Sequence, residues 1–127
     1  MGAENIRLTI LHTNDMHSHL EAMARLSGYA RAVRRQLEAE GRRVLFFDAG
    51  DAADRRVQFT GVTKGRAFPR ILAAMGCDLQ ALGNAIGVTY GPQAAGEMAR
   101  RSDFPVLAAQ TRRPCCAKGN CPAGVLK

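Results

Sequence analysis

Apolar residues along the chain occur at two spacings, one typical of buried strands and one typical of amphipathic helices. A first apolar run with interleaved polar residues covers 6–11 and predicts a β-strand. A second run at 44–47 is continuously apolar, as expected of a strand that is buried on both faces. Shorter apolar runs at 77–82 and 105–109 predict two further strands.

Three segments between these strands carry apolar residues at helical spacing. The first has its apolar stripe at 26–37 and stops at Gly41, a residue that commonly ends helices. The second runs from about 64 to 75, with Pro69 in or near its first turn, where the missing N–H costs little. Pro92 is expected to open the third helix.

The predicted element order is therefore β-α-β-α-β-α-β. Strands that alternate with helices imply an α/β fold with a mostly parallel sheet and right-handed crossovers. The residues at 52–61 have no clear apolar period, so we expect a loop there.

Polar residues directly follow the first three predicted strands. Asp15 and His17 follow the first strand, Asp51 follows the second and Asn84 follows the third. Because ligands bind at the carboxyl ends of strands in open α/β sheets, we expect these four side chains to converge. Their oxygen and nitrogen donors suit divalent metals such as Zn, Mn or Fe. A structural alternative is that Asp51 and Asn84 occupy ordinary turns and cap the helices that follow.

Composition and charge favour a single globular domain. The chain has 127 residues, of which 46% are hydrophobic and 23% are charged. Its formal charge is +7, but the basic residues spread along the predicted helices and aromatic residues make up only 6%. We therefore interpret the basic residues as solvated helix faces and do not expect nucleic-acid binding. A phosphate-bearing ligand is the alternative explanation of the charge.

The two ends of the chain carry separate expectations. The first strand follows the amino terminus without a signal-peptide pattern, and no apolar run reaches membrane-spanning length, so we expect a cytoplasmic protein without a membrane partner. The domain is expected to cover 1–110, and 111–127 to form an irregular or disordered tail. Cys115, Cys116 and Cys121 in this tail lack the spacing of a zinc site, which remains the alternative. A truncated or shifted reading frame would explain such a tail.

Three ordered motifs give the sequence a family resemblance. They are Leu-His-Thr-Asn-Asp-Met-His at 11–17, Asp-Ala-Gly-Asp at 48–51 and Ala-Leu-Gly-Asn at 81–84. Together with Lys64, Gly65 and the run at 104–108, they resemble the amino-terminal half of the calcineurin-like metallophosphoesterases, most closely the 5′-nucleotidase-like branch. The resemblance covers roughly 6–110 and implies the first half of an α-β-β-α sandwich.

The same resemblance implies a dinuclear metal centre and hydrolysis of a phosphoester. Asp15 and His17 would bind the first metal, Asp51 would bridge both metals, and Asn84 would bind the second. Two such metals lie about 3.5–4 Å apart and lower the pKa of a bound water from 15.7 toward about 7. The sequence does not distinguish Mn, Zn, Fe or Mg. The implied substrate is a phosphorylated small molecule such as a nucleotide.

The sequence departs from the family pattern directly after the third motif. The family usually has Gly-Asn-His-Glu, whereas this chain has Gly-Asn-Ala-Ile, with Ala85 in place of the histidine. That histidine stands near the phosphate in the family, and loss of a positioned acid typically costs about 10²–10⁴-fold in rate. The activity is then weak, or another residue has taken over this role, or the substrate differs. His12 and His19 are conceivable substitutes, but we expect His12 to be structural and His19 to lie at the mouth of the site.

A second departure concerns the missing second half of the family fold. No histidine follows His19, so the metal ligands that the family draws from its second sheet are absent here. We therefore expect an impaired or incomplete hydrolase, with a non-catalytic remnant or a metal- or phosphate-binding module as the alternative. One sheet face should also be apolar and exposed, and the missing half, a partner chain or a homodimer would cover it.

Overall fold

A computed structural model describes residues 5–108 and the backbone of 125–126. The elements are β1 (Leu8–Thr13), α1 (Leu20–Ala39), β2 (Arg43–Asp48), α2 (Gln58–Thr63), α3 (Phe68–Met75), β3 (Leu79–Ala81), α4 (Asn84–Arg100), β4 (Val106–Leu107) and β5 (Val125–Leu126).

The five strands form one sheet in the order in which they occur along the chain. Strands β1 to β4 are parallel to their neighbours, and β5 pairs antiparallel with β4. The register aligns Thr13 with Asp48, Asp48 with Gln80, and Gln80 with Val106. The predicted α/β fold with a mostly parallel sheet is therefore confirmed, and the carboxyl ends of β1, β2 and β3 meet at one edge.

The helix boundaries differ from those predicted, and backbone conformation explains the differences. The second predicted helix begins at Phe68 instead of residue 64, because Lys64 and Gly65 have φ angles of 49° and 75° and interrupt the helix. Pro69 lies in its first turn, as predicted. The third begins at Asn84, but Gly91 at φ 84° and ψ 170° divides it, and Pro92 opens its second segment.

One helix was missed by the sequence analysis. Helix α2 spans only six residues, Gln58–Thr63, and Thr60 is its one buried residue. A helix this short buries no apolar stripe, so the periodicity that reveals the other helices is lacking here.

The core lies between the sheet and α1, α3 and α4. Its buried residues come from these three helices, from the inward positions of the strands and from the loops beside them, and they include Met23, Phe46, Leu72, Met98 and Val106. A sequential strand order with crossovers of one hand places the connecting helices on the same face of a parallel sheet. The strand order thus explains why the helices cover only one side.

The opposite face of the sheet is apolar and partly open. Leu8 and Ile10 of β1 each keep 50% of their surface exposed, and Leu45 and Phe47 of β2 are only partly buried on the same face. Ile10 lies directly beside Leu45 in the parallel register. Within residues 5–108, the apolar exposed face predicted from the sequence is therefore present.

Three further sequence expectations can be placed on the structure. Cys77 is buried, as predicted, and burial raises the pKa of its thiol to about 11. Across the described residues, every helix is too short or too polar to cross a lipid bilayer. The irregular tail was predicted for 111–127; β5 lies within it, and its other residues, including Cys115, Cys116 and Cys121, lie outside the described residues.

Candidate functional site

The loop after β1 lies against the loop after β2 and is fixed to it by backbone hydrogen bonds. The N–H of Asp15 donates to the carbonyl of Gly50 at 2.9 Å, and the N–H of His17 donates to the carbonyl of Asp51 at 3.1 Å. A third bond, from the Ser18 N–H to the Ala52 carbonyl at 2.8 Å, continues the pairing. The two loops that carry Asp15, His17 and Asp51 thus form one unit.

Residues of the same two loops have an unusual backbone conformation. Asp15, His17, Ser18 and Asp51 have φ angles of 51°, 45°, 61° and 53°, all in the left-handed region. Residues other than glycine rarely adopt this region, and those that do concentrate at sites where the fold holds a side chain for a function. Three of these four residues are the metal ligands expected from the sequence resemblance.

The loop that precedes α4 also packs against Asp51. Oδ1 of Asp51 accepts a hydrogen bond from the Ala85 N–H at 2.9 Å. Gly83 allows this approach, because a Cβ atom at that position would overlap both the backbone nitrogen and Oδ1 of Asp51. Asp51 therefore binds the first turn of α4 across a distance of 34 residues in the sequence, whereas the structural alternative had it cap the helix that follows it; that helix, α2, has no side-chain cap. Asp51 also joins the edges of β2 and β3.

The imidazole of His17 lies between two carboxylates. Its Nε2 atom is 3.3 Å from Oδ1 of Asp15, and its Nδ1 atom is 3.9 Å from Oδ2 of Asp54. The second distance is too long for a hydrogen bond, and Nδ1 is buried without a hydrogen-bond partner in the described residues. Asn14 adds a hydrogen bond to Oδ2 of Asp15 at 2.8 Å. The side chains of Asp15 and His17 thus meet, as the sequence predicted.

Asp54 is held by an adjacent arginine. The Arg56 guanidinium donates to both carboxylate oxygens of Asp54, with its Nη2 atom 2.7 Å from Oδ2. These hydrogen bonds, together with one from the Arg56 backbone N–H, lower the pKa of Asp54 to about 2. The pairing also raises the pKa of Arg56. Asp54 is therefore a carboxylate at neutral pH, and its charge faces His17.

A buried polar network lies beneath the loop after β2. Asp48 is fully buried and accepts hydrogen bonds from Thr13 Oγ1 at 3.0 Å and from Gln80 Nε2 at 2.9 Å. Burial raises the pKa of Asp48 to about 6, against the lowering effect of these hydrogen bonds and of one from the Gly50 backbone. The three side chains cross β1, β2 and β3 at one level of the sheet, directly below the site.

A cleft of about 450 Å³ opens beside these residues. It is lined by His17, by the turn Asp54-Arg55-Arg56, and by Asn84, Ala85, Val88 and Thr89 of α4. Asp51 lies in a separate, smaller cavity together with Gly83 and Gln80. His12 is exposed on the open side of β1, and His19 precedes α1; neither lines this cleft, although either was considered as a replacement for the missing histidine.

The donor set has the chemistry of a divalent metal site. Asp15 and Asp51 offer carboxylate oxygens, His17 offers an imidazole with an unpaired buried nitrogen, and Asn84 offers a neutral amide oxygen. Within the described residues, no three side chains of His, Cys, Asp or Glu form a cluster able to hold a metal. The described part of the chain thus fits the chemistry of such a site but does not complete its ligand set.

The sequence analysis predicted no contacts for several residues of this region. Asp54 and Arg56 lie in the segment predicted as a loop, yet they form a buried carboxylate and its guanidinium partner. Ser18 and Thr60 were also missed; their hydroxyl oxygens lie 2.7 Å apart and are buried. The only signal for the first pair was an acidic residue two positions before an arginine, which is common on protein surfaces.

Comparisons with known proteins found relatives that match most of this chain. The uncharacterized metallophosphoesterase YunD of Bacillus subtilis is 33% identical over 101 residues, which cover 80% of this chain and 22% of YunD. Mouse 5′-nucleotidase is 35% identical over 118 residues, covering 83% of this chain and 20% of that enzyme. The chain therefore spans about a fifth of the length of these curated relatives. No protein-family model matches the chain.

Solved structures share the same fold. The crystal structure of a 5′-nucleotidase precursor from Thermus thermophilus aligns with a TM-score of 0.65 at 26% identity, over 80% of this chain and 22% of that one. The NAD nucleotidase of Haemophilus influenzae aligns with a TM-score of 0.62 at 23% identity, over 82% of this chain and 20% of that one. By sequence and by fold, most of this chain is similar to metallophosphoesterases of the 5′-nucleotidase-like branch, consistent with the amino-terminal portion of their domain.

Proposed function

We propose that this chain is part of a metal-dependent hydrolase that acts on a phosphoester of a small molecule such as a nucleotide. The observation that carries the proposal is the hydrogen-bonded pairing of the Asp15–His17 loop with the Gly50–Asp51 turn. This pairing brings carboxylate and imidazole donors from the ends of two parallel strands to one edge of the sheet. Left-handed φ angles at Asp15, His17 and Asp51 support a functional reason for the arrangement.

Each donor has a role that its chemistry suits. Asp15 and His17 would hold one divalent metal, Asp51 would be shared between two, and Asn84 would give the second a neutral oxygen. When bound, such metals supply hydroxide from water at neutral pH and offset the charge of the phosphoryl group. The Ala85 N–H bond to Oδ1 of Asp51 orients this carboxylate, so that its direction is fixed by the start of α4.

The names of the relatives support a nucleotide-like substrate. Mouse 5′-nucleotidase and the NAD nucleotidase of Haemophilus influenzae are both named for phosphorylated nucleosides. Because the chain spans about a fifth of the length of these proteins, further ligands of the metals would come from the remainder of such a domain. The open apolar face with Leu8 and Ile10 is where we expect that remainder to pack, and a homodimer is the competing occupant.

The test measures metal content and hydrolysis together. Elemental analysis of the purified chain would be paired with hydrolysis of an aryl phosphate and a nucleoside monophosphate in added Mn²⁺. Asp51→Asn should lose bound metal and any turnover, because it removes the shared carboxylate. Asp103→Asn, an exposed aspartate in the turn before β4, is the matched control and should keep both. Retention of metal and turnover by Asp51→Asn would refute the proposed role.

A second function of the same fold is a non-catalytic module that binds a metal or phosphate. Ala85 favours it, because a methyl group in the first turn of α4 can neither donate a proton nor carry charge. Ala85→His separates the two functions, since the new imidazole would line the same cleft. A gain in rate of about 10²-fold or more would indicate an impaired enzyme, whereas unchanged turnover would favour the module.

A further inference from the structure

The cleft beside His17 contains one arginine that has no partner among the described residues. Arg55 and Arg56 are consecutive residues of the turn that follows β2, and both line the cleft. The Arg56 side chain is paired with Asp54: it donates three hydrogen bonds to the two carboxylate oxygens of Asp54. The Arg55 side chain makes no hydrogen bond or ion pair with any residue at 5–108.

We propose that Arg55 is an anion-binding residue of this cleft and contacts the phosphate group of the proposed substrate. The inference rests on the proposed function for the identity of the site, but its evidence is the charge balance of the cleft. Asp54 is the only carboxylate among the described residues that line it, and Arg56 neutralises this carboxylate. Among the described residues, the charge of Arg55 is therefore uncompensated, and Arg55 lines a cleft of about 450 Å³, which is large enough for a phosphate ester.

Neutral donors in the same cleft extend the site. The amide of Asn84 and the hydroxyl of Thr89 both line it, and neither forms a side-chain hydrogen bond within the described residues. A phosphate has several acceptor oxygens, and the planar guanidinium of an arginine can donate to two of them at once. A guanidinium, an amide and a hydroxyl are thus available to one tetrahedral anion.

The chemistry of the arginine defines what Arg55 can contribute. A guanidinium remains charged at any physiological pH, so it can offset negative charge but cannot act as the proton donor. Arg55 would therefore supply binding and charge stabilisation on the side of the cleft where Ala85 contributes only a methyl group. This makes Arg55 a binding residue and does not make it a general acid.

Titration calorimetry with inorganic phosphate tests the assignment directly. The full chain would be titrated before and after loading with Mn²⁺, in buffer of about 0.15 M ionic strength, so that charges outside the cleft are screened. Arg55→Gln keeps a polar side chain of similar length but removes its charge, and it should weaken phosphate binding about 10- to 100-fold. The phosphate affinity of Arg55→Lys should lie between those of the parent and of Arg55→Gln, because lysine keeps the charge but loses the planar pair of donors.

The matched control is Arg35→Gln. Arg35 is exposed on α1, makes no side-chain hydrogen bond or ion pair with the described residues and does not line the cleft, so this change alters the net charge equally but leaves the cleft intact. The phosphate affinity of Arg35→Gln should stay within about twofold of the parent, because salt screens the Arg35 charge from a phosphate bound in the cleft. An equal loss in Arg35→Gln and Arg55→Gln, or no loss in Arg55→Gln, would overturn the proposal, as would a parent protein that does not bind phosphate.

The same measurements separate this proposal from the hydrolase itself. Arg55-dependent phosphate binding in a chain without turnover would leave the anion site intact and remove the proposed activity. Metal-dependent turnover with an unchanged KM in Arg55→Gln would support the proposed hydrolase and overturn the role of Arg55. Circular dichroism of each variant shows that it is folded, and Arg55→Lys provides a second reading if Arg55→Gln does not fold.

Discussion

The Oδ1 atom of Asp51 lies 2.9 Å from the backbone nitrogen of Ala85, although the two residues are 34 positions apart. This single hydrogen bond connects the loop after β2 to the start of α4. It exists because Gly83 has no side chain to separate the two segments. Gly83, which directly precedes Asn84, therefore controls how closely Asp51 and Asn84, two expected metal ligands, can approach each other.

The substitution Gly83→Ala tests whether Gly83 is needed for this close approach. Its methyl group would overlap the backbone of Asp51, so the loops must separate, and overpacking of this kind typically costs about 1–3 kcal/mol. Urea denaturation would measure the loss in free energy of unfolding. Gly87→Ala is the control, because a Cβ atom at Gly87 in α4 meets nothing within 4 Å. That variant should be unchanged or more stable by roughly 0.5–1 kcal/mol. Equal effects at both positions would contradict the argument.

Asp48 should give the stability of this protein an unusual dependence on pH. Burial raises its pKa from the ordinary value of 3.8 to about 6. The folded protein then holds this proton more tightly than the unfolded chain, so the stabilisation is complete below about pH 4 and is lost as the pH rises through about 6. A shift of this size corresponds to at most about 3 kcal/mol.

Asp48→Asn removes that titration and should be more stable than the parent above pH 7. Gln80 now donates from Nε2 to Asp48; if its amide turns over, Oε1, a buried atom without a hydrogen-bond partner within the described residues, can accept from the new amide. Urea denaturation of both proteins between pH 4 and 8 would show the two stability curves separating as the pH rises. Asp103→Asn serves again as the control for an exposed aspartate. Parallel curves for Asp48→Asn and its parent would exclude the shifted pKa.

Ser18 should be needed for the loop that carries Asp54. Its hydroxyl lies 2.7 Å from Thr60 Oγ1 and accepts a hydrogen bond from the Asp54 N–H at 2.7 Å. Ser18→Ala would leave these two buried polar groups unpaired, and each such group costs about 1–3 kcal/mol. The loss should be visible in thermal unfolding. Ser27→Ala on α1, which removes no side-chain hydrogen bond of the described residues, should change stability by less than about 0.5 kcal/mol.

Sequence periodicity predicted the alternating strands and helices because each buries an apolar face of recognisable period. It could not predict α2, whose only buried residue is Thr60. Asp15 and Asp51 were identified as site residues because polar groups that end parallel strands share an edge. The network around Asp48 depends on contacts between residues distant in the sequence, and the pairing of Asp54 with Arg56 depends on the burial of Asp54. A linear pattern encodes neither.

The open face of the sheet predicts self-association of the isolated chain. Ile10→Thr keeps a β-branched residue on β1 but removes apolar surface that is already half exposed. We expect sedimentation velocity to show less concentration-dependent association, with the free energy of unfolding changed by less than about 0.5 kcal/mol. Val62→Thr changes an equally branched residue that is 79% exposed on α2, and it should leave association unaffected. Association that is insensitive to Ile10→Thr would mean that another surface mediates it.

The break in α4 at Gly91 divides this helix into two cooperative units. The second segment holds Ala95, Met98 and Ala99 in the core, whereas the first buries only Ile86. Local opening requires least free energy where few apolar groups are buried, so the first segment can unfold while the second stays packed. Asn84 belongs to that first segment. Amide hydrogen exchange should therefore be faster at 84–90 than at 95–99. The site would then be assembled from two parts: the paired loops after β1 and β2, and the start of α4, which ligand binding would stabilise.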